Sequence, residues 1–132
     1  MGNPRRSNGA RRDAALRWLR SRGDPCWMCG LPIDQGLPAR HPRSLECDEL
    51  VPVSKGGSPY ARGNLAASHR ACNGWRSAKP VGKVEQIRAA AVSYGASWST
   101  PEEFVMAMKA VEKALKTVGE GVSPIVHTTT EW

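Results

Sequence analysis

Glu46-Cys47-Asp48-Glu49-Leu50-Val51-Pro52-Val53-Ser54-Lys55-Gly56-Gly57, followed by Asn64-Leu65 and His69-Arg70-Ala71-Cys72-Asn73, is the stretch on which the fold turns. Two adjacent carboxylates, a glycine pair, two asparagines and a His-x-x-Cys pair share residues 46–73, and a second pair, Cys26-Trp27-Met28-Cys29, lies upstream. Structural zinc takes Cys and His in two closely spaced pairs, because a two-residue gap lets both side chains converge without backbone strain. Cys26, Cys29, His69 and Cys72 meet that rule with 39 residues between the pairs. The alternatives are a redox Cys-x-x-Cys or buried free thiols, and two pairs at this spacing favour zinc over both. Cys47 is the spare: it could replace His69 as fourth ligand, yet it lacks a partner three residues away and reads as a buried apolar thiol in a strand.

The rest of the chain explains why a staple is needed. Its 132 residues fit one domain, but one Phe, two Tyr, ten Pro and thirteen Gly leave little apolar surface around the cysteines. A metal tying residue 26 to residue 72 would hold the intervening loop in one shape. There is no long apolar run and no hydrophobic leader, so an intracellular protein without a membrane span is expected, and thiols there read as metal ligands before disulfides. The net charge of +7 is uneven: residues 1–80 carry 14 Lys and Arg against six Asp and Glu, residues 81–132 five against six. A polyanion would meet the N-terminal part; the plain alternative is a solvated basic surface.

Residues 1–9 read as a mobile basic arm. Ala15, Leu16, Trp18 and Leu19 predict a helix over about 10–22, stopped by Gly23, with Arg11, Arg12, Arg17, Arg20 and Arg22 on its other face. A strand is expected at about Leu45–Leu50, a turn at Ser54–Pro59, a return strand near Ala61–Leu65, and a helix from His69–Cys72 through Trp75 toward Lys79. Trp75 could stack on a base, but its helical spacing favours the core. Beyond Pro80 an Ala-rich helix is expected over Lys83–Tyr94. A second starts at Thr100-Pro101-x-Glu103 and runs to about Val118, with Phe104, Val105, Met108, Val111, Ala114, Leu115 and Val118 on its apolar face. The units are thus residues 1–24 (arm and helix), 25–80 (stapled core), 81–118 (helical extension) and 119–132 (flexible tail).

From Cys26 to Lys79 the chain resembles the HNH endonuclease family, in particular its short zinc-bearing bacteriophage members. The matching elements are Cys26-x-x-Cys29, a strand ending in Asp48 before Leu50-Val51-Pro52, Ser54-Lys55-Gly56-Gly57, Asn64-Leu65, and His69-x-x-Cys72-Asn73 with Lys79 beyond. The resemblance implies a small α+β protein with a ββα-metal (His-Me finger) core, stapled by a zinc site of three cysteines and one histidine and flanked by an N-terminal helix and a C-terminal helical extension. It implies a divalent-metal-dependent DNA endonuclease in a bacterial host's cytoplasm, in phage DNA processing or packaging. Asp48 and Asn73 would hold the catalytic Mg²⁺ or Mn²⁺, Asn64 would brace the loop, and Cys26, Cys29, His69 and Cys72 would hold structural Zn²⁺, although the family more often has Cys at the His69 position.

Glu49 departs from that pattern, standing where the family has its general-base histidine. An unperturbed Glu, with a pKa of about 4.3, is a weak base at neutrality, and losing a good base costs about 10²–10⁴ in rate. Glu49 could act as base, bind the metal, or leave an impaired DNA-binding accessory protein. His41 is a remote substitute, its loop position giving no reason to aim it at Asp48. Arg11, Arg12, Lys55, Arg62, Arg70, Arg76 and Lys79 are candidates to line a DNA backbone track with little sequence preference. The C-terminal helices, whose outward face carries Lys109, Glu112, Lys113 and Lys116, would either cover the exposed side of the motif or dock a partner, a second copy or phage packaging machinery.

Overall fold

The computed structural model describes residues 4–119, with side chains from residue 9 to residue 117. Helix α1 (Pro4–Arg22) leads to an irregular segment, then strand β1 (Leu45–Glu49), a loop with two short 3₁₀ turns, and strand β2 (Leu65–His69). Helices α2 (Arg70–Arg76), α3 (Val81–Ser93) and α4 (Pro101–Gly119) follow. The fold is thus a small α+β arrangement of four helices and a two-stranded antiparallel sheet. Among the described residues no helix is long and apolar enough to cross a membrane. The expected tail lies outside the described residues from 120 onward, as do residues 1–3 of the expected arm.

Three expectations need correction. The basic arm is helical from Pro4 on, because proline suits the first helical position, where its missing N–H costs nothing. The return strand begins at Leu65, where the expected one ends: Arg62–Asn64 forms a 3₁₀ turn, and pairing runs from Glu49 opposite Leu65 to Leu45 opposite His69. Helix α2 stops at Arg76, short of Lys79, where Ser77 takes a left-handed φ of 51°.

The sheet has two working faces, since strand side chains alternate. Leu45 and Ala67 pack with Leu19 of α1 in a small cluster, joined by the partly buried Leu16, Trp18 and Cys47. Glu46 and Asp48 point the other way, toward α2, where Asn73 and Arg76 receive them. The larger core lies beyond α2. There Cys26, Met28, Cys29, Cys72 and Trp75 pack with Val84, Ile87 and Ala91 of α3 and Phe104, Met108 and Val111 of α4. Trp75 is a core residue, edge-on to Phe104 with ring centroids 5.7 Å apart, and its Nε1 donates to Glu112 at 2.7 Å. Trp98 also meets Phe104 edge-on and donates from Nε1 to the Cys29 carbonyl at 2.9 Å. The extension therefore closes over the cysteine cluster. Helix α4 opens on a cap in which Thr100 Oγ1 accepts from the Glu103 N–H and Glu103 accepts from the Ser99 N–H.

Candidate metal centre and groove

The segment Cys26–Gly30 folds into a tight turn. The Gly30 N–H donates to the Cys26 carbonyl at 2.9 Å and the Cys26 N–H to the Leu31 carbonyl at 3.0 Å, with Gly30 at φ 79°. This turn is clipped to β2 by the Trp27 N–H, which donates to the Ala67 carbonyl at 2.9 Å. His69 ends β2 and Cys72 sits in the first turn of α2, so four donors come from three elements. The donor atoms of Cys26, Cys29, His69 and Cys72 all lie within 4.8 Å of one another, and all four residues are buried.

The histidine is oriented for ligation. Its Nε2 lies 3.0 Å from the Pro32 carbonyl, which can only accept, so Nε2 carries the proton and Nδ1 presents its lone pair, 3.3 Å from Cys29 Sγ. The crowded thiols pull one another's protonation apart. Hydrogen bonds from Cys29 and then Cys72 push Cys26 far below the ordinary thiol range, so one thiolate forms readily. The hydrogen bonds to Cys26 and then Cys29 push Cys72 far above it. His69 is raised: burial opposes its charged form, but Cys26 outweighs burial. This cluster could hold a zinc ion, whose charge would let all three thiols ionise together. Cys47 lies outside it, half-buried beside α1. Burial first, then the charges of Glu49 and Asp48, raise its thiol above the usual value of 9.0.

The loop between the strands is braced by Asn64. Its Oδ1 accepts from the Val51 N–H at 2.8 Å, and its Nδ2 donates to the carbonyls of Val51 at 2.9 Å and Ser58 at 2.8 Å. Gly57 is required here, since a Cβ would stand 1.7 Å from the Val51 carbonyl oxygen.

Asp48 and Asn73 share the α2 face of the sheet but are not joined. Asp48 is 6 % exposed, and its Oδ2 accepts from Trp27 Nε1 and from Arg76, each at 2.8 Å. Asn73 Nδ2 instead donates to Glu46 at 3.0 Å. Glu46, Glu49 and Asn73 line a groove of about 480 Å³ at the edge of β1, with Arg12, Asp13 and Arg20 of α1 across it. These acids and the amide offer only oxygen donors, the kind that Mg²⁺ and Mn²⁺ take. Asp48 is not among the groove's lining residues. His41 lies elsewhere, beside Arg43 and Glu102, with its Nδ1 accepting from the Arg43 N–H.

The basic candidates divide. Arg11, Arg12, Lys55, Arg62 and Arg70 are exposed. Arg76, expected at the surface, is instead 2 % exposed. Its guanidinium donates to Asp48 and to the carbonyls of Glu49, Leu50 and Lys79, closing the ends of β1 and α2 together. Lys79 is also engaged, donating to the Trp75 carbonyl at 2.7 Å and pairing with Glu112 at 3.4 Å. Glu46, for which the motif alone suggests no role, enters because residues 46 and 48 share a face, a two-residue period visible in the strand. The groove contact of Arg20 follows from its spacing to Arg12 on α1.

Comparison with protein-family models, with curated proteins and with solved structures gives no match for this chain. Fold and site define a small α+β protein with a buried three-cysteine, one-histidine cluster able to hold a metal ion.

Proposed function

We propose that the chain is a zinc-stapled, HNH-type endonuclease that cleaves or nicks DNA with Mg²⁺ or Mn²⁺. The observation that carries this reading is the groove at the β1 edge, which sets Glu46, Glu49 and Asn73 opposite Arg12 and Arg20. The arginines would receive the phosphodiester backbone and offset its charge. Glu49 would take the proton of the attacking water. A divalent ion held by the oxygens of Glu46, Glu49 and Asn73 would supply charge neutralisation at the scissile phosphate; Asp48, which the resemblance adds as a ligand, lies outside the groove and would have to leave Arg76 to reach it. Arg76 would act indirectly, because its bonds to the Glu49 and Leu50 carbonyls set where Glu49 enters the groove.

A second reading draws on the Asp48–Arg76 pair. A carboxylate already neutralised by a buried guanidinium is a poor metal ligand, which favours a DNA-binding accessory protein with impaired chemistry. Supercoiled plasmid with Mg²⁺, Mn²⁺ or EDTA, incubated with wild type, Glu49→Gln and Glu49→His, separates the two. The enzyme reading expects metal-dependent nicking by wild type, reduced about 10²-fold or more in Glu49→Gln. Nicking by Glu49→His alone would establish the accessory reading, and equal nicking by Glu49→Gln would remove Glu49 from the chemistry.

A further inference from the structure

Helix α1 straddles the sheet, and its two flanks differ. Ala15 and Leu19 face the core, Arg12, Leu16 and Arg20 border the groove described above, and Arg11, Trp18 and Arg22 run along the opposite flank. These flanks follow from the helical period, since residues 12, 16 and 20 form one row and 11, 18 and 22 another. On the second flank lies a separate cleft of about 380 Å³ at the β2 side of the sheet, lined by Trp18, Arg22, Asp24, Trp27, Arg62 and Gly63 among others.

We propose that this cleft is a second polynucleotide site, one that takes unpaired nucleotides. Both Trp18 and Trp27 are half-buried; Trp27 is anchored by its Nε1 bond to Asp48 and has Arg76 at 5.4 Å from its ring centroid, so Trp18 is the indole left to meet a base. The Trp18 ring has the Arg62 guanidinium at 5.1 Å and that of Arg22 at 5.2 Å from its centroid. Arg22 is already paired with Asp24 at 2.7 Å, whereas Arg62 makes no salt bridge among the described residues. The cleft thus has a positive charge at its rim, held by an aromatic ring and free to meet a phosphate. Next to it, a Cβ on Gly63 would meet nothing within 4 Å, which leaves room for a backbone to approach. Arg11 extends the same flank by about 16 Å from Arg22, at 1.5 Å of rise per residue.

Aromatic surface beside arginine is the chemistry of single-strand binding, where bases stack and phosphates follow the positive charge. A duplex keeps its base faces inside, so it could use the arginines and not the indoles. The occupant is therefore a strand with unpaired bases, as at a flap or a single-stranded gap. This deepens the proposed function, resting on its claim that the basic face meets nucleic acid, but it does not depend on cleavage.

The test uses the full zinc-loaded chain, a 12-nucleotide oligothymidylate and a duplex of equal length, with binding read by anisotropy at two salt concentrations. Trp18→Ala should weaken the oligothymidylate about five- to fiftyfold and change the duplex less than about twofold. Trp18→Phe should retain most of the affinity while losing part of the indole quenching seen on binding. Arg62→Gln should weaken binding and lower the salt slope by about one. Should Trp18→Ala fail to fold, Trp18→Phe quenching and the surface variant Arg62→Gln decide. Unchanged oligothymidylate binding in Arg62→Gln with no loss of quenching in Trp18→Phe overturns the proposal, as does equal loss for duplex and single strand in Trp18→Ala. The plasmid assay fails separately: a protein that stacks the oligonucleotide but never nicks keeps this site and loses the enzyme reading.

Discussion

Replacing Arg76 by Met should be among the most damaging single changes in the sheet region. The side chains of Arg76 and Asp48 are 2 % and 8 % exposed, and Arg76 also serves three main-chain carbonyls. Methionine fills similar space but leaves the Asp48 carboxylate buried with Trp27 as its remaining donor. Removing one partner of a buried pair costs about 3–5 kcal/mol, against a total stability of about 5–15 kcal/mol for a domain. The expected fall in melting temperature is roughly 10–20 °C. Asp48→Asn should cost less, because an amide oxygen still accepts and no uncompensated carboxylate remains. The double variant Asp48→Asn/Arg76→Met should therefore be less damaged than the sum of the singles, with a coupling of about 1–3 kcal/mol. Urea denaturation of the four zinc-loaded proteins measures all of this. An Arg76→Met cost below about 1 kcal/mol would show that water replaces the guanidinium, and that Arg76 does not position Glu49.

Protein purified without added metal should contain one zinc per chain. Cys29→Ser and Cys72→Ser should lose it and unfold, Cys47→Ser should keep it, and acid should release it as the ligands protonate; full zinc in Cys72→Ser would discard the cluster. With zinc bound, Cys47 should be the one alkylated thiol. Because burial raises its pKa, the neutral thiol persists, and the rate should still be climbing above pH 9.0; a plateau near pH 8 would contradict this. Gly57→Ala should destabilise by about 1–3 kcal/mol through overpacking, while Gly63→Ala, into open space, should cost less, as thermal melts would show.

Signals confined to a few neighbouring residues are the readable ones. The two ligand pairs, the Thr100–Glu103 helix start and the helical spacing of Phe104, Met108 and Val111 each need only a short window. The interior position of Arg76 cannot be read this way, for its acceptors come from residues 48, 49, 50 and 79, brought together only by the closed hairpin. Basic residues near a motif look like surface residues until such acceptors are found. The start of β2 is hidden for a related reason: Ala66, Ala67 and Ser68 have little strand preference of their own, and pairing with β1 makes the strand. Glu46 is legible in principle, through alternation with Asp48, but needs Asn73 opposite it to matter.

The cluster of Cys26, Cys29, His69 and Cys72 also imposes a schedule on biosynthesis. At about 5–20 residues per second, the last ligand, Cys72, leaves the ribosome roughly 2–9 s after Cys29. During that interval the first two thiols can offer an ion only half a site. The surface on which Phe104 and Trp98 later pack includes these same cysteines, so it is complete only once that interval has passed. Helices α3 and α4 follow Cys72 in the chain, so their packing against the cysteines waits for all four ligands to emerge, and an ion bound there would be enclosed by helices made after its site.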